Sequence, residues 1–136
     1  MPATPEAEAG RKPARILIAE DDPSVRQFVK RALAHAGYEV EAVEDGLKAL
    51  DALAKADFDL LISDIVMPGL DGIALALKVA KERPGLAVML MTGYAHERQR
   101  AHNIEALSHA VLAKPFTLEA IAAAAARALA ATPRAQ

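Results

Sequence analysis

The 136-residue chain contains no cysteine and no tryptophan, and its aromatic residues are only two Tyr and three Phe. The lack of cysteine excludes disulfides, iron–sulfur clusters, thiolate zinc sites and cysteine nucleophiles. A large excess of charge of one sign is also lacking, since 16 Lys and Arg stand against 18 Asp and Glu and give a formal net charge of −2. This balance argues against nucleic acid or an anionic membrane as a partner.

Long apolar runs are missing as well. No run approaches the ~18 residues that a membrane span needs. The N-terminus carries charges and prolines where a signal peptide has its apolar core. We therefore expect a cytoplasmic protein.

The length fits one domain. Residues 1–14, which are rich in Ala, Pro and Glu, are expected to be a disordered leader. Residues 15–131 are expected to form the ordered domain, and residues 132–136 a short tail. Hydrophobic residues make up 53% of the chain, but 32 of them are alanines. The larger apolar side chains therefore suffice for one core and not for two.

Within the ordered domain, short apolar runs alternate with amphipathic stretches. The runs predict strands over residues 16–19, 38–43, 58–63, 86–91 and 110–113. The stretches predict helices over residues 24–36, 46–55, 73–82, 95–107 and 118–131, with Asp22 and Thr117 as N-caps. Five strands and five helices in βα order predict an α/β fold, a doubly wound parallel sheet covered by helices on both faces.

Polar residues follow four of the predicted strands. In an open parallel sheet, ligands bind beyond the carboxyl ends of the strands, so these residues are expected to share one edge. In chain order they are Glu20-Asp21-Asp22, Asp64, Thr92-Gly93 and Lys114-Pro115.

The acids among them fit a magnesium site. Converging carboxylates repel one another, and a hard cation with oxygen ligands relieves that repulsion. Glu20, Asp21 and Asp64 can supply such a site. The alternative for Glu20 and Asp21 is that they only favour the N-terminus of the following helix.

Asp64 gives a stronger indication of function than Glu20 or Asp21. A lone carboxylate at the end of a buried strand is costly unless it has a partner or a chemical role. A carboxylate can attack phosphorus, and phosphoryl transfer then needs mainly charge neutralisation. The Lys114 ammonium and the Thr92 hydroxyl can contribute to that, although each alone is also typical of a solvated lysine or an ordinary turn.

Other classes fit less well. The Glu20-Asp21-Asp22 loop lacks the glycines with which dinucleotide-binding proteins cradle phosphate. The four histidines show no metal-ligand spacing. A small phosphatase using an aspartyl phosphate would need a second acid close to its nucleophile, and Val66 stands two residues after Asp64.

The motifs ILIAEDD, LLISDIVMPGLDG, MLMTGYA and LAKPF resemble the receiver domain of bacterial two-component response regulators, over about residues 15–131. The resemblance implies the flavodoxin-like strand order 2-1-3-4-5 and Asp64 as the phosphoacceptor for a histidine kinase or phosphotransfer protein. It implies Mg²⁺ bound directly by Asp21, through water by Glu20, and by the Val66 carbonyl. Thr92 would be the switch hydroxyl and Lys114 the phosphoryl-contacting ammonium. The bond from Lys114 to Pro115 is a candidate for a cis peptide, which a tight turn allows.

One position departs from the family pattern. Three residues before the lysine the family usually has a Tyr or Phe that rotates inward, and this chain has Val111. Tyr94 is a candidate substitute reporter, with an ordinary lid residue as the alternative. Since neither Val66 nor Tyr94 offers acid–base help to water, slow loss of phosphate is expected.

The chain ends soon after the domain, which suggests a stand-alone receiver whose output is a protein contact, as a monomer or weak dimer. By family analogy the contact face lies within residues 95–131. The stretches SDIVMPGLDG and MTGYA also resemble alphaproteobacterial cell-cycle receivers that act with the ClpXP protease, so a protease or its adaptor is a candidate effector. The alternatives are a phosphorylation-independent adaptor and a phosphate sink.

Overall fold

The strands and helices follow the predicted alternation. The structure, a computed structural model, describes residues 13–93 and 110–131. Its strands are β1 (Arg15–Ala19), β2 (Glu39–Val43), β3 (Leu60–Asp64), β4 (Ala87–Thr92) and β5 (Ala110–Ala113). Its helices are α1 (Pro23–His35), α2 (Gly46–Lys55), α3 (Gly72–Glu82) and α4 (Leu118–Ala131). The helix predicted over residues 95–107, and Tyr94, lie outside the described residues.

The five strands form one sheet in the order β2-β1-β3-β4-β5, and every neighbouring pair is parallel. This confirms the predicted α/β fold and strand order. Alternate strand residues enter two apolar clusters on opposite faces: Leu17 and Leu61 pack with α2 and α3 residues, whereas Ile18 and Ile62 pack with α1 and α4 residues. A strand buried on both faces needs apolar residues at successive positions, as β3 and β4 have.

Each described helix begins with a side-chain cap close to the carboxyl edge of the sheet. The Asp22 carboxylate accepts from the Ser24 N–H at 2.8 Å, and the Thr117 hydroxyl oxygen accepts from the Ala120 N–H at 3.0 Å. Both predicted caps are confirmed. Asp45 and Asp71 cap α2 and α3 in the same way.

Four strands begin one or two residues from their predicted starts, and two strands differ from the sequence-based prediction at their carboxyl ends. β3 extends to Asp64 and β4 to Thr92, so these residues end their strands instead of following them. The cause is tertiary: Asp64 stays in register with Met91, and Thr92 with Ala113, because each strand continues as long as its neighbour pairs with it.

The start of β3 also differs, since Phe58 and Asp59 were predicted to belong to the strand but precede it. The Asp59 carboxylate instead accepts from the Arg15 N–H at 2.8 Å.

Within the described ranges, 13–93 and 110–131, no helix has the length and apolar character to span a membrane.

Candidate functional site

Three carboxylates meet at the carboxyl edge of the sheet. Glu20 and Asp21 follow β1 and Asp64 ends β3, and these strands are neighbours. Each residue contributes one carboxylate oxygen to a group whose members lie within 4.8 Å of one another. Glu20 is fully buried and Asp64 is only 6% exposed, whereas Asp21 is open to solvent. The structure thus brings together the three acids that the sequence predicted.

Lys114, which follows the edge strand β5, contacts two of these acids. Its Nζ lies 3.0 Å from Oε1 of Glu20 and 2.9 Å from Oδ1 of Asp64. Burial by itself lowers the pKa of Lys114, but the hydrogen bonds with Asp64 and Glu20 outweigh it and raise that pKa. The side chain is therefore an ammonium at neutral pH. The Lys114–Pro115 peptide bond is cis.

Glu20 is held at each of its polar groups. Its N–H donates to the Val43 carbonyl at 3.1 Å, and its own carbonyl accepts from Nη1 of Arg26 at 2.8 Å. Its second carboxylate oxygen accepts from the Asp22 N–H at 3.1 Å.

Burial raises the pKa of Glu20 to about 7, against hydrogen bonds from Asp22 and Lys114 that lower it, and the nearby Asp64 charge adds to the rise. An acid placed in this way accepts a cation readily, because the cation compensates the charge that burial penalises. The carboxylate donor set fits Mg²⁺, which prefers oxygen ligands and few protein carboxylates.

Thr92 is fully buried at the end of β4. Its Oγ1 has no hydrogen-bond partner in the described part of the chain. A buried hydroxyl without a partner costs about 1–3 kcal/mol. Such a group is prepared to donate to an acceptor that enters the site.

An open cavity of about 520 Å³ lies beside the three carboxylates and Lys114. Val66, a residue that is 51% exposed, contributes to its wall, and Gly93 borders it next to Thr92. The cavity walls are Glu20, Asp21, Asp22, Asp64, Val66, Gly93, Lys114 and Pro115. The opening gives a small anionic group access to Asp64.

The Asp64 backbone is fixed by two residues that sequence reasoning missed. The Ser63 hydroxyl donates to the Asp64 carbonyl at 2.9 Å. Gly72, the first residue of α3, packs so closely that an added Cβ would lie 2.2 Å from the same carbonyl oxygen. The Asp-Gly pair at 71–72, where a helix begins, is the signal that could have revealed this contact.

Two more predicted positions have definite places. Val111 is half-buried on β5, in register with Leu90, and packs against the cluster beneath α2 and α3. His35 is exposed at the end of α1. The proposed substitute reporter Tyr94 is not among the described residues.

Comparison with known proteins identifies the family. The model of the response regulator receiver domain matches residues 16–126. The chain belongs to the response regulator receiver family. Receiver domains act in two-component signalling and are phosphorylated on an aspartate, and they are signalling domains, not classical enzymes.

Individual relatives agree with this assignment. The response regulator receiver protein CpdR of Brucella abortus (strain 2308) is 41% identical over 104 residues, which cover 76% of this chain and 87% of that protein. The response regulator MprA of Mycobacterium sp. (strain KMS) is 34% identical over 82% of this chain, which spans only 48% of MprA.

A solved structure supports the receiver fold. The response regulator protein TrrA of Thermotoga maritima, in complex with Mg²⁺ and BeF, has a TM-score of 0.76 and 28% identity. The match covers 85% of this chain and 98% of TrrA.

Proposed function

We propose that this chain is a cytoplasmic, single-domain response regulator that is phosphorylated on Asp64 in a Mg²⁺-dependent reaction. The phosphodonor is a histidine kinase or a histidine phosphotransfer protein. The observation that carries the proposal is the partly buried bridge from Lys114 to the buried acids Asp64 and Glu20, next to the exposed Asp21. Acids and an ammonium in this arrangement are what phosphoryl transfer to a carboxylate requires.

The metal would be held by Glu20, Asp21 and Asp64 together with the Val66 carbonyl. Bound Mg²⁺ supplies positive charge that offsets the charge of the phosphoryl oxygens. TrrA, a similar receiver, holds Mg²⁺ together with BeF.

The transfer step uses residues of this chain. The Asp64 carboxylate attacks phosphorus, the new O–P bond forms as the P–N bond to the donor histidine breaks, and the imidazole leaves with its electron pair. Lys114, already 2.9 Å from Asp64, neutralises the group that is transferred. The Thr92 hydroxyl, which has no partner among the described residues, gains an acceptor when a phosphoryl oxygen enters the site.

The phosphorylated state changes a contact with an effector protein, for which a protease or its adaptor is one candidate. Because Val111 replaces the usual aromatic residue, movement of Thr92 is not coupled to a rotating ring at that position.

This same replacement favours a second candidate function, a receiver-fold adaptor that binds its partner without phosphorylation. Equal affinity for a partner with and without beryllofluoride would favour the adaptor, and a difference would favour the switch.

The main proposal is tested by incubating the protein with acetyl phosphate and Mg²⁺ and recording its intact mass. One phosphoryl adduct is expected, and it should be absent from Asp64→Asn and from samples with EDTA. Asp51→Asn, a change at an exposed acid paired with Lys55 on α2, should leave the adduct unchanged. An adduct that persists in Asp64→Asn refutes the assignment.

A further inference from the structure

Helix α1 carries an arginine where its dipole disfavours one. Arg26 lies in the first turn after Pro23, a turn without acidic residues. A cation near a helix N-terminus meets the positive end of the helix dipole. The side chain is half-buried, and its Nη1 donates to the carbonyl of Glu20 at 2.8 Å. This hydrogen bond to a residue outside the helix thus offsets the unfavourable interaction of Arg26 with the helix dipole.

This carbonyl belongs to the peptide that joins Glu20 to Asp21. The Glu20 N–H donates to the Val43 carbonyl, and the Glu20 carboxylate accepts from the Asp22 N–H and from Lys114. Both the backbone and the side chain of Glu20 are therefore fixed.

Asp21 is exposed. Its backbone is held on both sides: the peptide before it accepts from Arg26 through the Glu20 carbonyl, and the peptide after it donates through the Asp22 N–H to the Glu20 carboxylate. The orientation of the preceding peptide, which Arg26 holds, is therefore one of the constraints on where the Asp21 carboxylate lies.

We propose that Arg26 is a positioning residue for the metal site. By holding the Glu20–Asp21 peptide, it keeps the Asp21 carboxylate within reach of those of Glu20 and Asp64 and thereby sets the affinity for Mg²⁺. This inference rests on the proposed function. It concerns Arg26 alone, which touches a ligand residue's backbone and not the reacting atoms.

A purely electrostatic role makes the opposite prediction. The guanidinium is a positive charge close to the acids and repels Mg²⁺. If Arg26 acted only through its charge, its removal would strengthen Mg²⁺ binding. If Arg26 positions the peptide, its removal weakens binding, as loss of an outer-shell partner of a metal ligand usually does.

The experiment is calorimetric titration of the full chain with Mg²⁺, without a phosphodonor. Arg26→Ala is expected to bind Mg²⁺ about tenfold or more weakly. Arg26→Lys keeps the positive charge but can donate only from a single nitrogen, so its Mg²⁺ affinity should fall between that of Arg26→Ala and that of wild type. Arg31→Ala, at an exposed arginine of the same helix, is the matched control and should bind as wild type does.

A second readout separates positioning from general damage. With acetyl phosphate, Arg26→Ala should need more Mg²⁺ for half-maximal phosphorylation, yet reach the wild-type rate when Mg²⁺ saturates. A lower rate at saturating Mg²⁺ with unchanged Mg²⁺ affinity overturns the proposal. Should Arg26→Ala fail to fold, Arg26→Lys carries the test, and unchanged binding in that variant overturns it.

The outcomes also distinguish the two proposals. Binding of Mg²⁺ by Arg26→Ala that equals or exceeds wild-type binding overturns this inference alone. A wild-type chain that binds no Mg²⁺ overturns the proposed function, and this inference with it.

Discussion

Substitution of Gly72 by alanine should loosen the junction between α3 and the strand that carries Asp64. The Gly72 N–H donates to the Ile65 carbonyl at 2.8 Å. An added Cβ would lie 2.2 Å from the Asp64 carbonyl oxygen and 2.9 Å from both the Asp64 carbonyl carbon and the Ile65 Cα. All three atoms are backbone, so no side chain can turn away, and either the helix or the Asp64 peptide must move by about 1 Å.

The expected cost follows from overpacking. Forcing an extra methyl group into a packed site costs about 1–3 kcal/mol, and Gly→Ala gains ~0.4–1 kcal/mol through the unfolded chain, so the net loss should be about 1–2 kcal/mol. For a domain of this size, Gly72→Ala should therefore lower Tm by about 4–8 °C. The phosphorylation rate at Asp64 should also fall, since the displaced peptide carries the nucleophile.

Two other glycines serve as controls. A Cβ at Gly85 meets nothing within 4 Å, so Gly85→Ala should be neutral or slightly stabilising. A Cβ at Gly37 is equally free, but its φ of +103° disfavours alanine, so this variant measures backbone strain without a clash.

Urea and thermal unfolding are to be followed by circular dichroism, since the chain has no tryptophan. If Gly72→Ala is as stable as wild type and is phosphorylated at the same rate, the close packing of α3 on Asp64 is refuted. A loss no larger than that of Gly37→Ala would show that the clash relaxes at little cost.

Three further predictions concern the site. Thr92→Val removes a buried hydroxyl that has no partner among the described residues. The free energy of unfolding of the unphosphorylated protein, measured in urea, should therefore rise by up to about 1 kcal/mol, and the stabilisation that beryllofluoride adds should shrink. A variant that is less stable than wild type without beryllofluoride contradicts this. Burial raises the pKa of Glu20 from 4.5 to about 7, so metal-free protein should be more stable at about pH 5 than at about pH 8, because the folded state holds this proton more tightly. Glu20→Gln should flatten that dependence in EDTA, and an unchanged slope refutes the assignment. Because Val66 offers water no acid or base, phosphate on Asp64 should persist for minutes or longer, as intact mass against time will measure; decay within seconds without an added phosphatase contradicts this.

Local patterns in the sequence were enough to predict the layered fold. Consecutive apolar residues in the runs 58–63 and 86–91 indicated strands buried on both faces, and helical spacing in between indicated the crossovers. Parallel strands place their carboxyl ends at one edge. For that reason the meeting of Asp64 with Lys114, 50 positions apart in the printed sequence, followed from topology without any knowledge of their contacts.

The tertiary structure decided what each of those residues experiences. Whether Glu20 is buried depends on packing by several elements, and so does the rise of its pKa. The bond from Arg26 to the Glu20 carbonyl crosses from helix to loop at no regular helical spacing, and only the helix dipole hinted at it. The contact of Gly72 with Asp64 is set by how closely α3 approaches β3. Sequence periodicity reports which face a residue occupies, whereas distances between backbone groups of different elements arise only when those elements pack.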